Sequence, residues 1–165
     1  MKFILVGVVL VGMGYIGFGL ARFYRRRKRF FADLILFCEK LCVDISFSKE
    51  TLKTIVSSNL TNFSKDFKNV LERYLDFLSL KSSEVTPNLL FKGSTLLSKE
   101  KQENIALFFK SLGRLDVSCQ VADINNFKNK FLNFQSNADE ENKKFGSLSL
   151  KLMLLFGALV VIILI

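Results

Sequence analysis

The chain has 165 residues, half of them hydrophobic, with 24 Lys and Arg against 15 Asp and Glu and a formal charge of +9. That length has room for one domain of ordinary size. The absence of histidine removes the commonest general base, and three cysteines, an odd number, suit free thiols in a reducing compartment.

Taken from the N-terminus, residues 3–20 (FILVGVVLVGMGYIGFGL) form 18 positions without a charge. At about 1.5 Å per residue they reach roughly 27 Å, near the thickness of a bilayer's hydrocarbon core. A cleaved signal peptide would have a shorter apolar region and no basic run just behind it. Residues 1–21 are therefore read as a transmembrane helix. Gly7 with Gly14, and Gly12 with Gly19, fall on similar faces of it. Small residues there allow close approach of another helix in lipid, so self-association through membrane helices is expected.

The basic cluster follows at once: Arg22, Arg25, Arg26, Arg27, Lys28 and Arg29, six of eight consecutive positions. Without it, residues 22–147 carry 16 basic against 15 acidic side chains, so the excess charge is concentrated at the membrane border. This is the positive-inside pattern: residues 22–147 are expected in the cytoplasm and both termini on the outer side. Contact with anionic membrane lipid is expected as well, at about 1 kcal/mol per basic residue near the surface. No basic stripe or motif in the middle region points to nucleic acid.

Beyond the cluster, apolar residues recur every three or four positions. Phe30, Leu34, Phe37, Cys38, Leu41 and Ile45 make the first stripe, on a helix that nothing separates from the N-terminal segment. Ser48 is the expected cap of a second helix, with Glu50 in its first turn and a stripe of Leu52, Ile55, Val56 and Leu60. Asn62 is the expected cap of a third, whose face is Phe63, Phe67, Val70, Leu71, Tyr74, Phe77 and Leu78. Residues 79–83 read as a loop. Pro87 opens a short helix capped by Ser83 or Thr86, carrying Leu89 and Leu90. Ser98 caps a fifth helix that displays Ile105, Phe108, Phe109 and Leu112 until Gly113 ends it.

Asp116 caps the last helix, with Val117, Val121, Ile124, Phe127, Phe131 and Phe134 on one face. It is expected to run unbroken, or nearly so, into residues 148–165, a second transmembrane helix at whose start Lys151 snorkels. No strand candidate competes. The fold class is thus all-α: an antiparallel bundle of about six helices (22–147) between an N-terminal and a C-terminal transmembrane helix, with the long first and last helices side by side. Fifteen of the eighteen phenylalanines lie in the middle region and are read as core.

No chemistry is legible. Cys38, Cys42 and Cys119 fall short of the four ligands zinc takes and are read as buried thiols. Asp139, Glu140 and Glu141 point in different directions on a helix, as a solvated face does. No nucleophile elbow or phosphate loop occurs, so no enzyme activity, cofactor or metal is expected. One local constellation stands out: Gly113, Arg114, Asp116 and Gln120 at a helix–helix corner. Gly113 supplies a left-handed cap, Asp116 the next N-cap and Gln120 a partner for backbone groups. The corner is also a candidate contact for a cytoplasmic partner.

Leu112-Gly113-x-x-Asp116-x-x-x-Gln120 resembles the Leu-Gly-x-Ser-Asp-x-x-x-Gln of the stage III sporulation protein AB family, with Leu115 where the family has Ser. The stretch CEKLCVDISFSKETL (38–52) is similar to the family's Leu-x-x-x-Ile segment leading to a turn, and the order of membrane segment, basic run, helical domain and membrane segment matches throughout. The resemblance implies a fold like the cytoplasmic domains of the platform proteins of type II secretion and type IV pilus machines. It also implies membership of the channel complex between mother cell and engulfed forespore, with the other stage III sporulation A proteins, notably the AA ATPase, as partners. A membrane-anchored signalling or regulatory adaptor would need the same bundle without those partners.

Overall fold

In a computed structural model, the backbone is described for residues 2–47, 50–80, 84–146 and 148–164. Side chains are described for the same residues except 2–10, 80, 146, 148–150, 154 and 161–164. All the regular elements among the described residues are helical, as the three-and-four periodicity predicts: α1 (Lys2–Phe47), α2 (Leu52–Ser58), α3 (Lys65–Leu80), α4 (Pro87–Leu90), α5 (Lys99–Ser111), α6 (Val117–Glu141) and α7 (Leu148–Leu164). A 3₁₀ turn (Leu60–Asn62) precedes α3, and a π turn (Asn142–Gly146) follows α6. The chain forms two compact units, Arg29–Gln135 and a second built from Met1–Lys28 with Ser136–Ile165.

In the unit Arg29–Gln135 the apolar stripes meet as a core. Phe30, Phe31, Leu34, Phe37, Cys38 and Leu41 of α1 are buried against Ile55 and Val56 of α2, Phe67, Val70, Leu71 and Tyr74 of α3, Phe108 and Phe109 of α5, and Phe131 and Phe134 of α6. The rings meet mostly edge to face, Phe37 lying 5.7 Å from Phe67 and 6.5 Å from Phe108, and Phe108 5.5 Å from Phe131. Each buried ring contributes about 1.5–3 kcal/mol by leaving water. Phe47, at the last position of α1, is 87 % exposed and outside this core.

Antiparallel packing of α1 and α6 is visible in each unit separately. Within Arg29–Gln135, Phe31 meets Phe134 at 5.8 Å and Glu39 pairs with Lys128 at 3.6 Å, so partners descend α6 as they climb α1. In the other unit Tyr24 stacks on Phe145 at 5.7 Å and Arg27 pairs with Glu141 at 2.7 Å, the same sense of pairing.

The helix starts depart from the sequence expectation at two places, and Ser98, though it holds the cap position of α5, makes no side-chain cap hydrogen bond. Thr51, not Ser48, caps α2, its Oγ1 accepting the Thr54 N–H at 3.3 Å. Ser48 lies outside the described residues, and Glu50 precedes the helix instead of sitting in its first turn. Asn62 ends the 3₁₀ turn, and α3 begins three residues later. There the Ser64 N–H is held by Asp33 Oδ2 at 2.9 Å, while the Ser64 carbonyl accepts from Lys68. A tertiary carboxylate thus fixes the residue that precedes α3, where a local side chain was expected to cap the helix. Ser79 belongs to α3, its hydroxyl donating to the Leu75 carbonyl at 2.8 Å, so 79 and 80 of the expected loop over 79–83 are helical, and 81–83 lie outside the described residues. Thr86 caps α4 and Asp116 caps α6 as expected.

Among the described residues no helix is long and apolar enough to cross a membrane. The two stretches expected to do so, 1–21 and 148–165, lie partly outside those residues. After α6 the π turn interrupts the α pitch, and 147, which separates it from α7, lies outside the described residues, so the expected unbroken run from α6 into 148–165 holds only as far as Glu141 in α pitch.

Candidate functional site: the corner between α5 and α6

Burial of Phe108 and Phe109 fixes the end of α5, and the chain then has five residues, 112–116, in which to turn back. Leu112 is extended (φ −63°, ψ 132°) and buried, and Gly113 follows at φ +77°. A side chain at 113 would meet only Leu52 Cδ2, at an ordinary 3.6 Å. Glycine is required there by the left-handed backbone, not by lack of space.

Asp116 then opens α6. Its Oδ2 accepts the Ser118 hydroxyl at 2.6 Å and the Cys119 N–H at 3.4 Å, and its carbonyl takes the first helical bond from Gln120 at 2.8 Å. The Ser118 hydroxyl, with Cys119, holds the Asp116 carboxyl below the usual carboxylate range. Gln120, only 2 % exposed, reaches back so that its Oε1 accepts the Gly113 N–H at 2.9 Å. The role expected of Gln120, satisfying a backbone group at the corner, is what it performs. Arg114 projects from the turn as an exposed side chain.

Sequence reasoning missed the relief around this turn. A cleft of about 250 Å³ lies on one side, lined by Ile45, Glu50, Leu52, Ile55, Leu115 and Gln120 among others, and a shallower groove of about 400 Å³ on the other, lined by Leu107, Lys110, Arg114, Leu115, Asp123 and Phe127. Leu115 belongs to both walls, half-exposed between them. Val117, placed on the core stripe by its spacing, is 55 % exposed and lines the cleft instead, because the first turn of α6 lies at the corner. The available signal was the pair Leu115 and Val117 straddling an N-cap, apolar residues where solvated ones are usual.

Two members of the basic cluster form ion pairs with α6. In the N- and C-terminal unit, Arg27 Nη1 donates to Glu141 Oε2 at 2.7 Å and Lys28 pairs with Asp139 at 2.5 Å. Lys143 joins the other oxygen of Asp139 at 3.0 Å, and Lys144 pairs with Glu140 at 3.6 Å. Lys28 and Lys143 hold the Asp139 carboxyl below its ordinary value. The three consecutive carboxylates are therefore partners of cations and not simply a solvated face, since Asp139 and Glu141 project toward α1 while Glu140 faces Lys144 on its own helix. Arg22, Arg25 and Arg26 are exposed in that unit, and Arg29, the first residue of the other, is exposed as well.

The three cysteines are free. Cys38 is buried, which pushes its thiol up to about 12, while Cys42 is only half-buried, short of the core position expected for it, and partial desolvation raises its thiol. Cys119 is exposed, contrary to the reading of all three as core, because it stands on the outward side of the first turn of α6; its hydrogen bond with Asp116 raises its thiol above the usual value. Maleimide labelling of the folded chain is expected at Cys119 far faster than at Cys38, with each labelled site mapped by mass spectrometry. Among the described residues no group of three or more His, Cys, Asp or Glu could hold a metal ion.

The described residues thus form helices with buried aromatic stripes and a polar corner between α5 and α6. The stage III sporulation protein AB family model matches residues 2–165, and the chain belongs to that family. This assigns it to stage III of sporulation. No curated protein and no solved structure matches the chain.

Proposed function

We propose that the chain is a non-enzymatic membrane platform of the sporulation channel linking mother cell and engulfed forespore. The single observation carrying this reading is the family match over essentially the whole length, from the apolar N-terminus to the apolar C-terminus. Residues 3–20 and 148–165 span the bilayer, and the basic cluster keeps residues 22–147 on the cytoplasmic side with both ends outward. Arg22, Arg25 and Arg26, exposed on α1, meet anionic lipid headgroups. Arg27 and Lys28 are engaged with Glu141 and Asp139, and so brace α1 against α6 where the bundle meets the membrane.

On this reading the corner at Gly113, Arg114, Asp116 and Gln120 receives the AA ATPase. The bundle transmits force between that motor and the other stage III A proteins. Exposed Arg114, a residue type over-represented among interface anchors, supports it, flanked by half-exposed Leu115 between the two depressions and by Val117 in the cleft.

Deletion of the gene in the source organism is expected to arrest sporulation after engulfment. Complementation with Arg114→Glu should leave the protein's thermal midpoint unchanged while weakening co-purification of the ATPase in mild detergent. Sporulation at wild-type frequency in the deletion strain would refute the platform role. Undiminished co-purification by Arg114→Glu and by Leu115→Asp would remove the corner from it.

A further inference from the structure

We infer that the corner binds an extended segment of a partner protein, which seats one apolar side chain in the 250 Å³ cleft and pairs its backbone with Gln120 and Asp123. This rests on the reading of the corner as a docking surface and specifies the chemistry of what docks.

In the first two turns of α6, two buried side-chain polar atoms are without a hydrogen-bond partner among the described residues: Gln120 Nε2 and Asp123 Oδ2. The Gln120 amide cannot turn over to hide its donor, because its Oε1 is already committed to the Gly113 N–H at 2.9 Å. A buried amide N–H left unmade carries most of its desolvation cost, so the site favours an occupant that supplies an acceptor. Asp123 stands three residues further along α6, which puts the two side chains side by side, about 5–6 Å apart at their Cβ atoms. Gln120 lines the cleft and Asp123 lines the neighbouring groove, with Leu115 walling both.

One orphaned donor and one orphaned acceptor at neighbouring positions match a particular group. A single residue of an extended chain presents its N–H and its C=O on the same edge, as in the paired bonds of an antiparallel ladder. Its carbonyl accepts from Gln120 Nε2 and its N–H donates to Asp123 Oδ2. The cleft beside it is walled by Ile45, Leu52, Ile55, Leu115 and Val117 and is smaller than the roughly 300–1,000 Å³ usual for small-molecule sites, so it suits one side chain better than a metabolite. The charged residues around the two depressions, Glu50, Lys110, Arg114 and Asp123, are of both signs. Recognition by net charge, as for a phosphate or nucleic acid, is thereby disfavoured.

The test uses the full chain in detergent with ¹⁵N labelling, following the Gln120 side-chain amide and the Gly113 backbone amide. The probe is a terminally blocked alanine peptide with one central leucine, compared with the same peptide carrying lysine at that position and with versions N-methylated at one amide at a time. The leucine peptide is expected to shift the Gln120 amide saturably. N-methylation at one position, and Asp123→Ala in the protein, should each weaken it about tenfold, the scale of one hydrogen bond. Asp123→Ala leaves the Gly113–Gln120 bond intact, so its Gly113 resonance reports that the corner is still folded. No shift at Gln120, or a shift reproduced by the lysine peptide and by every N-methylated version, overturns the proposal. So does a shift that depends on protein concentration alone, which would make a second copy the occupant. The broader reading fails separately: peptide binding with no ATPase in the purified complex removes the motor and keeps the cleft, and ATPase binding indifferent to Asp123→Ala does the reverse.

Discussion

Replacing Phe108 by alanine is expected to cost about 3–5 kcal/mol, the upper range for removing a buried aromatic side chain. Phe108 is fully buried and stands where helices converge: its ring lies 6.5 Å from Phe37 on α1, 5.2 Å from its neighbour Phe109, and 5.5 Å from both Phe127 and Phe131 on α6. Removing it leaves a void walled by rings from three helices, which cannot all move in to fill it. Denaturant unfolding of the full chain in detergent, followed by circular dichroism, reads the change. Phe47→Ala is the control, because that ring is 87 % exposed and its loss should stay within about 0.5 kcal/mol. Equal effects from the two would contradict the packing described for Phe108.

Gln120→Met is expected to cost about 1–3 kcal/mol, although methionine is a good helix former of similar length. The loss comes from the corner. The Gly113 N–H, which donates to Gln120 Oε1 at 2.9 Å, is left facing apolar atoms, and the left-handed turn loses the bond that closes it. Hydrogen exchange distinguishes this from a general packing defect. The Gly113 amide should exchange faster by more than the global loss of stability allows, while amides in the middle of α5 and α6 slow or quicken only with the global value. Retained protection at Gly113 would show that another acceptor holds the turn.

Most of the architecture could be read from the residues, and the exceptions have identifiable causes. The stripes of α1, α3, α5 and α6 were legible because aromatic and aliphatic residues recur at the helical period over several turns, and Phe30 to Leu41 are buried as that period requires. Gly113, Asp116 and Gln120 were legible because cap chemistry is local. What was not legible depends on residues far apart in sequence. Asp33 reaches Ser64 to set the start of α3, and Asn59 joins α2 to α1, its amide donating to the Ile55 carbonyl at 2.9 Å and to Asp44 at 3.4 Å while its Oδ1 accepts from Lys40 at 3.3 Å. The carboxylates at 139 and 141 looked solvated because their partners, Lys28 and Arg27, are more than a hundred positions away. The two depressions beside Leu115 belong to no single helix and have no sequence period.

The π turn at Asn142–Gly146 re-aims the side chains that lie within it. A π turn amounts to one residue inserted in an α-helix, and one residue corresponds to a rotation of about 100°. Phe145, whose ring stacks on Tyr24 at 5.7 Å, therefore owes its direction to that single surplus position. A relative shortened by one residue before Phe145 would swing the ring away from α1 and leave Tyr24 without its stacking partner. Length in this short stretch, more than its composition, decides that contact.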